Sequence, residues 1–131
     1  VYNIGPYKAA YIFKVDDDYV LVDSAAQMQE MFAPITSSEE ALAYTQLLTG
    51  LRAEYEFKPR YGGQMFLQEV IQDTHVTDMG HGYSVHLYHS PISGCGPYVT
   101  SQVDVVVGRD GMVTWMGATP VYIDLHRVCN N

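Results

Sequence analysis

Val103-Asp-Val-Val-Val-Gly108 and Met112-Val-Thr-Trp115 stand on either side of Arg109-Asp-Gly111, and this stretch decides the fold. Valine-rich segments suit the pleated, half-buried surface of a strand. Asp-Gly supplies the two positive-φ positions of a type I′ turn, the tight turn that joins antiparallel strands. The sequence therefore predicts a β-hairpin across residues 98–124, and the other elements can be placed against it.

A second hairpin is predicted at the N-terminus, over residues 7–23. Residues 7–15 alternate between apolar and polar side chains, Asp16-Asp-Asp18 marks a turn, and Tyr19-Val-Leu-Val-Asp23 returns as the partner strand. The aspartate run is not followed by the alternating acids, central Gly and closing Glu of a calcium-binding loop. A turn is therefore the favoured interpretation.

One strongly amphipathic helix is predicted over residues 37–50. Ser37 and Glu40 have the spacing of a capping box, and Gly50 is a suitable stop. Residues 27–32 predict only a short helical turn. The helix carries one apolar stripe, which is typical of core packing: Ala41, Tyr44, Leu47, Leu48 and Leu51.

The remaining segments predict strands. Residues 52–57, 83–89 and 119–123 read as strands, while residues 65–77 leave open a strand or a helix over 65–72. The fold class is α+β, with one main helix packed on an antiparallel β-sheet meander of five to seven strands. This is the general architecture of an α+β roll. Residues 1–131 form a single domain, with strands spread over residues 52–124.

Composition restricts the possible partners. Fifteen acidic against seven basic residues give a net charge of −8, which repels nucleic acid, so no nucleic-acid partner is expected. No apolar run is long enough for a membrane span. No Gly-rich phosphate loop, Gly-x-Ser-x-Gly or His-Glu-x-x-His motif is present. We therefore assign no catalytic residue and no cofactor.

Two cysteines, Cys95 and Cys129, are a candidate disulfide. Such a bond would hold the C-terminal tail to the loop before the central hairpin, contributing about 4 kcal/mol. The alternative is a pair of unrelated thiols. A first residue of valine fits a processed mature chain or a trimmed one. Together with the tyrosine-rich strands, these features favour a secreted, periplasmic or membrane-tethered location.

Clustered histidines raise the question of a metal. A surface site for a divalent ion would use His81 and His86, with His75 reaching across the predicted turn. His86 and His89 are three residues apart, so on one strand they point to opposite faces. Ordinary half-exposed strand histidines are the favoured interpretation.

Two functional classes remain open. The first is a non-catalytic module that binds a protein partner or a small ligand through an exposed sheet face or the loops 79–82 and 90–98. The second is a ligand-binding or enzymatic roll with a pocket between sheet and helix, which would contain Asp104 and His86. Asp104 shares the solvent face with Thr100 and Gln102, so the first class is favoured. The inward strand positions are apolar and are expected to fill the core: Tyr83, Val85, Leu87, Val103, Val105 and Val107.

Two short motifs resemble a known family. Ser37-Ser-Glu-Glu-Ala-Leu-Ala43, followed by Val103-Asp-Val-Val-Val and Asp110-Gly111-Met-Val113, is similar to the PepSY pattern of a capped helix and strands closed by Asp-Gly-x-Val. The resemblance implies a small extracytoplasmic module associated with proteases and without catalytic residues. Cystatins share the helix-on-sheet design, but their Gln-x-Val-x-Gly loop is absent, since Gln102 lies six residues before Gly108.

Overall fold

The structure, a computed structural model, describes residues 10–57, 63–90 and 96–125. These residues form an α+β fold with two helices and two antiparallel sheets, one of two strands and one of five. In chain order the elements are β1 (Tyr11–Val15), β2 (Asp18–Val22), α1 (Ala25–Phe32), α2 (Ser38–Thr49), β3 (Gln64–Phe66), β4 (His75–Asp78), β5 (Gly82–His89), β6 (Tyr98–Gly108) and β7 (Val113–Asp124).

The predicted central hairpin is confirmed as the pair β6 and β7, but its turn is not type I′. Gly111 has a φ of 83°, whereas the described non-glycine residues with positive φ are Asp16 and Glu56, so Asp110 lacks it. The amide of Gly108 donates to the carbonyl of Met112 at 2.8 Å. This pattern is a three-residue loop that ends in a left-handed glycine, which also suits the twist of a hairpin.

The five-stranded sheet has the order β3-β7-β6-β5-β4. The prediction of a separate last strand at residues 119–123 is wrong, because β7 continues through Pro120. Pro120 lies opposite Ser101, beside the register shift between Thr100 and Ser101. Proline has no N–H to donate, and irregular positions of this kind tolerate it within a sheet.

The N-terminal hairpin is confirmed for β1 and β2, which form a separate two-stranded sheet with Val15 opposite Asp18. Residues 7–9 of the predicted strand lie outside the described residues. Tyr11 ties this sheet to the rest of the fold, because its hydroxyl donates to the carbonyl of Leu47 at 2.8 Å. The hairpin therefore covers one side of α2.

The helix predicted over residues 37–50 is confirmed as α2. Ser37 caps it by accepting from the amide of Glu40 at 3.1 Å, and Gly50 ends it in the left-handed conformation. The reciprocal half of the capping box is displaced by one residue, since Glu40 accepts from the amide of Thr36 at 2.7 Å. The preceding segment is a full helix, α1, rather than a short turn, and Ser24 caps it.

The core lies between α2 and one face of the five-stranded sheet, which we call the inner face. As predicted, alternate residues of β5 and β6 point into it and pack against the apolar stripe of α2. Burial of these side chains provides most of the apolar stabilisation of the fold. The central members are at most 3% exposed: Ala41, Tyr44, Leu48, Tyr83, Val85, Leu87, Val103, Val105 and Val107.

The strand predicted over residues 52–57 is wrong, and of the two alternatives for residues 65–77 the helix is absent, while strands are present only at the two ends, as β3 and β4. Residues 52–57 form a single bridge, Arg52 with Tyr88, rather than a strand. Residues 67–74 contain no helix and run irregularly from β3 to β4. Both segments reach the sheet face opposite α2, where the ring of Phe57 packs on Tyr88 and the carbonyl of Gln72 accepts from the Tyr88 hydroxyl.

Among the described residues, no helix is long and apolar enough to cross a membrane.

Candidate functional site

The sheet face opposite α2, which we call the outer face, is buried at three side-chain positions of β5 and β6 and half-buried at others, contrary to the expectation that it meets solvent. His86 is 5% exposed, Thr100 2% and Tyr88 0%. Asp104 fits the expectation better, since half of its side chain is exposed. His86 and Asp104 are directly opposite each other in the register of β5 and β6.

A chain of hydrogen bonds crosses this face. Nδ1 of His86 lies 2.7 Å from Oδ1 of Asp104, and Nε2 lies 3.0 Å from the Tyr88 hydroxyl. The same hydroxyl donates to the main-chain carbonyl of Gln72. We call this set the His86 hydrogen-bond chain. It links two central strands to the irregular segment between β3 and β4.

The tyrosine of this chain is held in its neutral form. Burial raises the pKa of Tyr88 to about 12, and the negative charges of Asp73, Asp104 and Glu54 act in the same direction. The hydroxyl of Tyr88 therefore keeps its hydrogen at physiological pH and is a permanent donor.

The three histidines considered for a metal do not converge. The rings of His75 and His86 stack with centroids 4.9 Å apart, but both nitrogens of His86 are already in hydrogen-bond contact. Nδ1 of His75 contacts the carbonyl of Asp73 at 2.8 Å. His81 lies in the β4–β5 turn, five strand residues or roughly 16 Å from His86. Within residues 10–57, 63–90 and 96–125, no group of three or more His, Cys, Asp or Glu side chains could hold a metal ion.

Two irregular segments cover the outer face and are bonded to each other. Glu54 and Thr74 are joined through two hydrogen bonds of 2.9 Å, one from each amide. The amide of Glu56 donates to Oδ1 of Asp73 at 2.8 Å. Since neither segment has regular structure of its own, these contacts fix their position over the sheet.

Four aromatic rings pack together where these segments meet the sheet. The ring of Phe57 lies 4.7 Å from that of Tyr88 and 5.9 Å from that of Tyr122, and Phe66 lies 6.0 Å from Tyr122. These spacings are those of favourable aromatic pairs. Tyr88 thus belongs both to the aromatic cluster, through its ring, and to the His86 hydrogen-bond chain, through its hydroxyl.

A wide cleft of about 390 Å³ opens on this face. We call it the outer cleft, and it is lined by Phe57, Phe66, Leu67, Gln68, Glu69 and Ile71. A smaller recess of about 80 Å³ shares Phe57 and Phe66 and is bounded on its other side by Arg52, Glu54 and Tyr122, among others. Neither His86 nor Asp104 lines these two cavities.

The remaining predicted site residues are the two cysteines and the loops 79–82 and 90–98. Cys95 and Cys129 lie outside the described residues, as does most of the 90–98 loop. The 79–82 loop is a tight turn closed by the amide of Met79, which donates to the carbonyl of Gly82 at 2.8 Å. The sequence analysis missed Tyr88, although its position two residues after His86 on the same strand places both side chains on one face.

Comparison of this chain with protein-family models, with curated proteins and with solved structures finds no match.

Proposed function

We propose that this chain is a non-catalytic binding module of an extracytoplasmic protein, and that the outer cleft is its contact surface. The observation that carries the proposal is an open cleft with Phe57, Phe66, Leu67 and Ile71 in its walls, on the sheet face opposite α2. Its volume lies within the range of about 300–1,000 Å³ that is usual for small-molecule sites.

The opposite side of the sheet supports the same assignment. The inner-face residues Val85, Leu87 and Val105 are fully buried against α2. Among the described residues, the buried polar and charged side chains include no acid, and the one buried histidine, His86, lies on the outer face. The side chains of the inner face thus pack against the helix, whereas the outer cleft is open and is lined by both apolar and polar side chains, Gln68 and Glu69 among them.

The proposal is tested with a neutral aromatic probe, N-phenyl-1-naphthylamine, titrated into ¹⁵N-labelled protein. We expect amide shifts concentrated at Phe66, Leu67 and Ile71, and an affinity that falls at least tenfold in Leu67→Asp, because a buried carboxylate next to an apolar ligand is costly. Val70→Asp is the matched control. It adds the same charge to the same segment at a side chain that is 79% exposed and outside the cleft lining.

Two results would overturn the proposal. One is a shift pattern that centres on the helix-side core instead of the outer cleft. The other is an equal loss of affinity in Leu67→Asp and Val70→Asp, which would show that the probe responds to charge alone.

A small enzyme is the second candidate, and the hydrogen bond between His86 and Asp104 favours it. An imidazole oriented by a carboxylate is a common general base. The arrangement argues against this use, because Nε2 of His86 faces the Tyr88 hydroxyl and His86 is only 5% exposed. Hydrolysis of a chromogenic ester panel that is lost in His86→Gln and kept in Tyr122→Phe would replace the module with an enzyme.

The extracytoplasmic location and the partner class are further parts of the proposal. Thiol counting on denatured, unreduced protein tests the disulfide between Cys95 and Cys129, and two free thiols would remove this support for the location. The resemblance of residues 37–43 and 103–113 to PepSY domains adds a protease as the expected partner.

A further inference from the structure

The His86 hydrogen-bond chain contains more contacts than a neutral histidine can satisfy. The ionised carboxylate of Asp104 and the carbonyl of Gln72 carry no hydrogen, so both can only accept. Nδ1 of His86 therefore donates to Asp104, and the single hydroxyl hydrogen of Tyr88 goes to Gln72. The 3.0 Å contact between His86 Nε2 and the Tyr88 oxygen is then a hydrogen bond only if Nε2 also carries a hydrogen.

Three contacts thus require three hydrogens. A neutral imidazole and a phenol supply two, whereas an imidazolium and a phenol supply three. Asp104 sits beside the ring to balance the charge, and its half-exposed carboxylate remains in contact with water. The geometry consequently matches a His86 that is protonated on both ring nitrogens.

The end of this chain holds one wall of the outer cleft. Leu67, Gln68, Glu69 and Ile71 line the cleft, and Gln72 follows directly in the chain. We call residues 67–73 the wall segment. Its described anchors are the amide of Leu67, which donates to the carbonyl of Val121, the Tyr88 hydroxyl on Gln72, and Asp73 on the amide of Glu56.

We propose that the His86 hydrogen-bond chain is a proton-dependent latch on the wall segment, which holds the outer cleft in shape only while His86 is doubly protonated. When Nε2 loses its hydrogen, it becomes an acceptor, and the hydroxyl of Tyr88 turns to donate its hydrogen bond to Nε2 instead of to Gln72. The carbonyl of Gln72 then loses its donor, and the central anchor of the wall segment is released. This inference rests on the proposed function, because it describes the control of the same cleft.

The charged groups around the His86 hydrogen-bond chain are mostly acidic. Asp104 on β6 contacts His86, and Asp73 and Glu54 from the two covering segments act on Tyr88. Arg52 is occupied by Glu54 at 3.4 Å. The ring of His75 on β4 stacks on that of His86 with centroids 4.9 Å apart, and two positive charges at this distance would repel each other.

The first measurement follows the ring nitrogens of His86 by long-range ¹H–¹⁵N spectra between about pH 5 and 8, where histidine side chains change charge. We expect both nitrogens of His86 to be protonated at a pH at which His75 carries one hydrogen. A His86 that has an unprotonated Nε2 throughout the folded range would overturn the proposal.

The second measurement is amide hydrogen exchange of the covering segments, expressed as protection relative to the intrinsic rate at each pH. We expect protection at Leu67 and Glu56 to fall about tenfold as His86 loses its proton, the effect of one lost hydrogen bond. In Tyr88→Phe, protection should be low at every pH and no longer follow His86. Tyr122→Phe is the matched control, since it removes a hydroxyl from the same aromatic cluster outside the latch.

Both measurements are made without ligand, so they separate the latch from the proposed function. If the naphthylamine probe fails to bind while wall protection follows His86, the function is wrong and the latch stands. If the probe binds equally at all pH values and in Tyr88→Phe, the latch is wrong and the binding function stands. Protection of Leu67 and Glu56 that does not change with the His86 charge would also overturn the latch.

Discussion

The two faces of the five-stranded sheet bury their side chains in different ways. On the inner face, Val85, Leu87 and Val105 pack against a capped amphipathic helix, and the contacts are apolar. On the outer face, His86 and Tyr88 are buried by irregular segments and satisfied by hydrogen bonds. The inner face depends on shape and volume, while the outer face depends on the placement of individual hydrogens.

This difference teaches where control can reside in a small domain. Apolar contacts of the inner face are insensitive to pH, so the helix and the sheet form a stable base. Polar contacts buried on the outer face are costly when one partner is lost, because an unsatisfied group remains behind. The outer face is therefore the part of the molecule in which one proton can change the structure.

The largest expected effect comes from the inner face. Leu87→Ala should lower the free energy of unfolding by about 3 kcal/mol, because it removes a fully buried side chain and leaves a cavity. Urea denaturation followed by circular dichroism measures this loss. The control is Leu21→Ala in the N-terminal hairpin, where the side chain is 58% exposed and a change within about 0.5 kcal/mol is expected. A loss below 1 kcal/mol in Leu87→Ala would contradict the assignment of this face as the core.

The inner face was readable from the sequence because its signals are local. Alternating valines predict which side of β6 is buried, and the capping pair Ser37 and Glu40 marks the start of α2. These patterns act within one element, over a few residues. The predicted type I′ turn at Asp110-Gly111 was wrong because local sequence does not settle the turn type. Several hairpin loops share that dipeptide and differ only in their backbone angles.

The outer face was not readable in this way. The contact of Tyr88 with Gln72 joins residues 16 positions apart, and that of His86 with Asp104 joins residues 18 apart. Alternation assigned Thr100 and Asp104 to the outer face correctly but predicted solvent there. It could not show that residues 52–57, expected as a strand, fold over that face instead. The cleft arises from these long-range contacts and has no sequence signature of its own.

A smaller loss of stability is expected at a hydrogen bond of the helix α2, which packs on the inner face. The hydroxyl of Tyr44 is buried and donates to the carbonyl of Gly111 at 2.8 Å, so α2 holds the turn of the central hairpin. Tyr44→Phe should cost about 1.5 kcal/mol in unfolding free energy, because the carbonyl loses a buried donor. Tyr19→Phe, at a side chain that is 73% exposed, is the matched control and should be neutral. Equal stability of the two variants would show that solvent reaches the turn carbonyl.

The smallest expected effect on stability comes from Tyr88 on the outer face, and it is absent at neutral pH. Folding raises the pKa of Tyr88 from 10.0 to about 12, because its ring is buried and three acids surround it. Between these values the unfolded chain loses the phenolic proton and the folded chain keeps it. The stability that Tyr88 contributes is therefore complete below pH 10.0 and decreases as pH rises toward about 12.

Ultraviolet difference titration of tyrosinate, compared between the natural chain and Tyr88→Phe, isolates this group. We expect the variant to lose a late-titrating step and to show a shallower decline of unfolding free energy over the same alkaline range. Leu87→Ala should keep the late step, since it changes only the inner face. If removal of the Tyr88 hydroxyl leaves the alkaline curve unchanged, the phenol is not enclosed by the acids of the outer face, and the contrast between the two faces is weaker than the structure indicates.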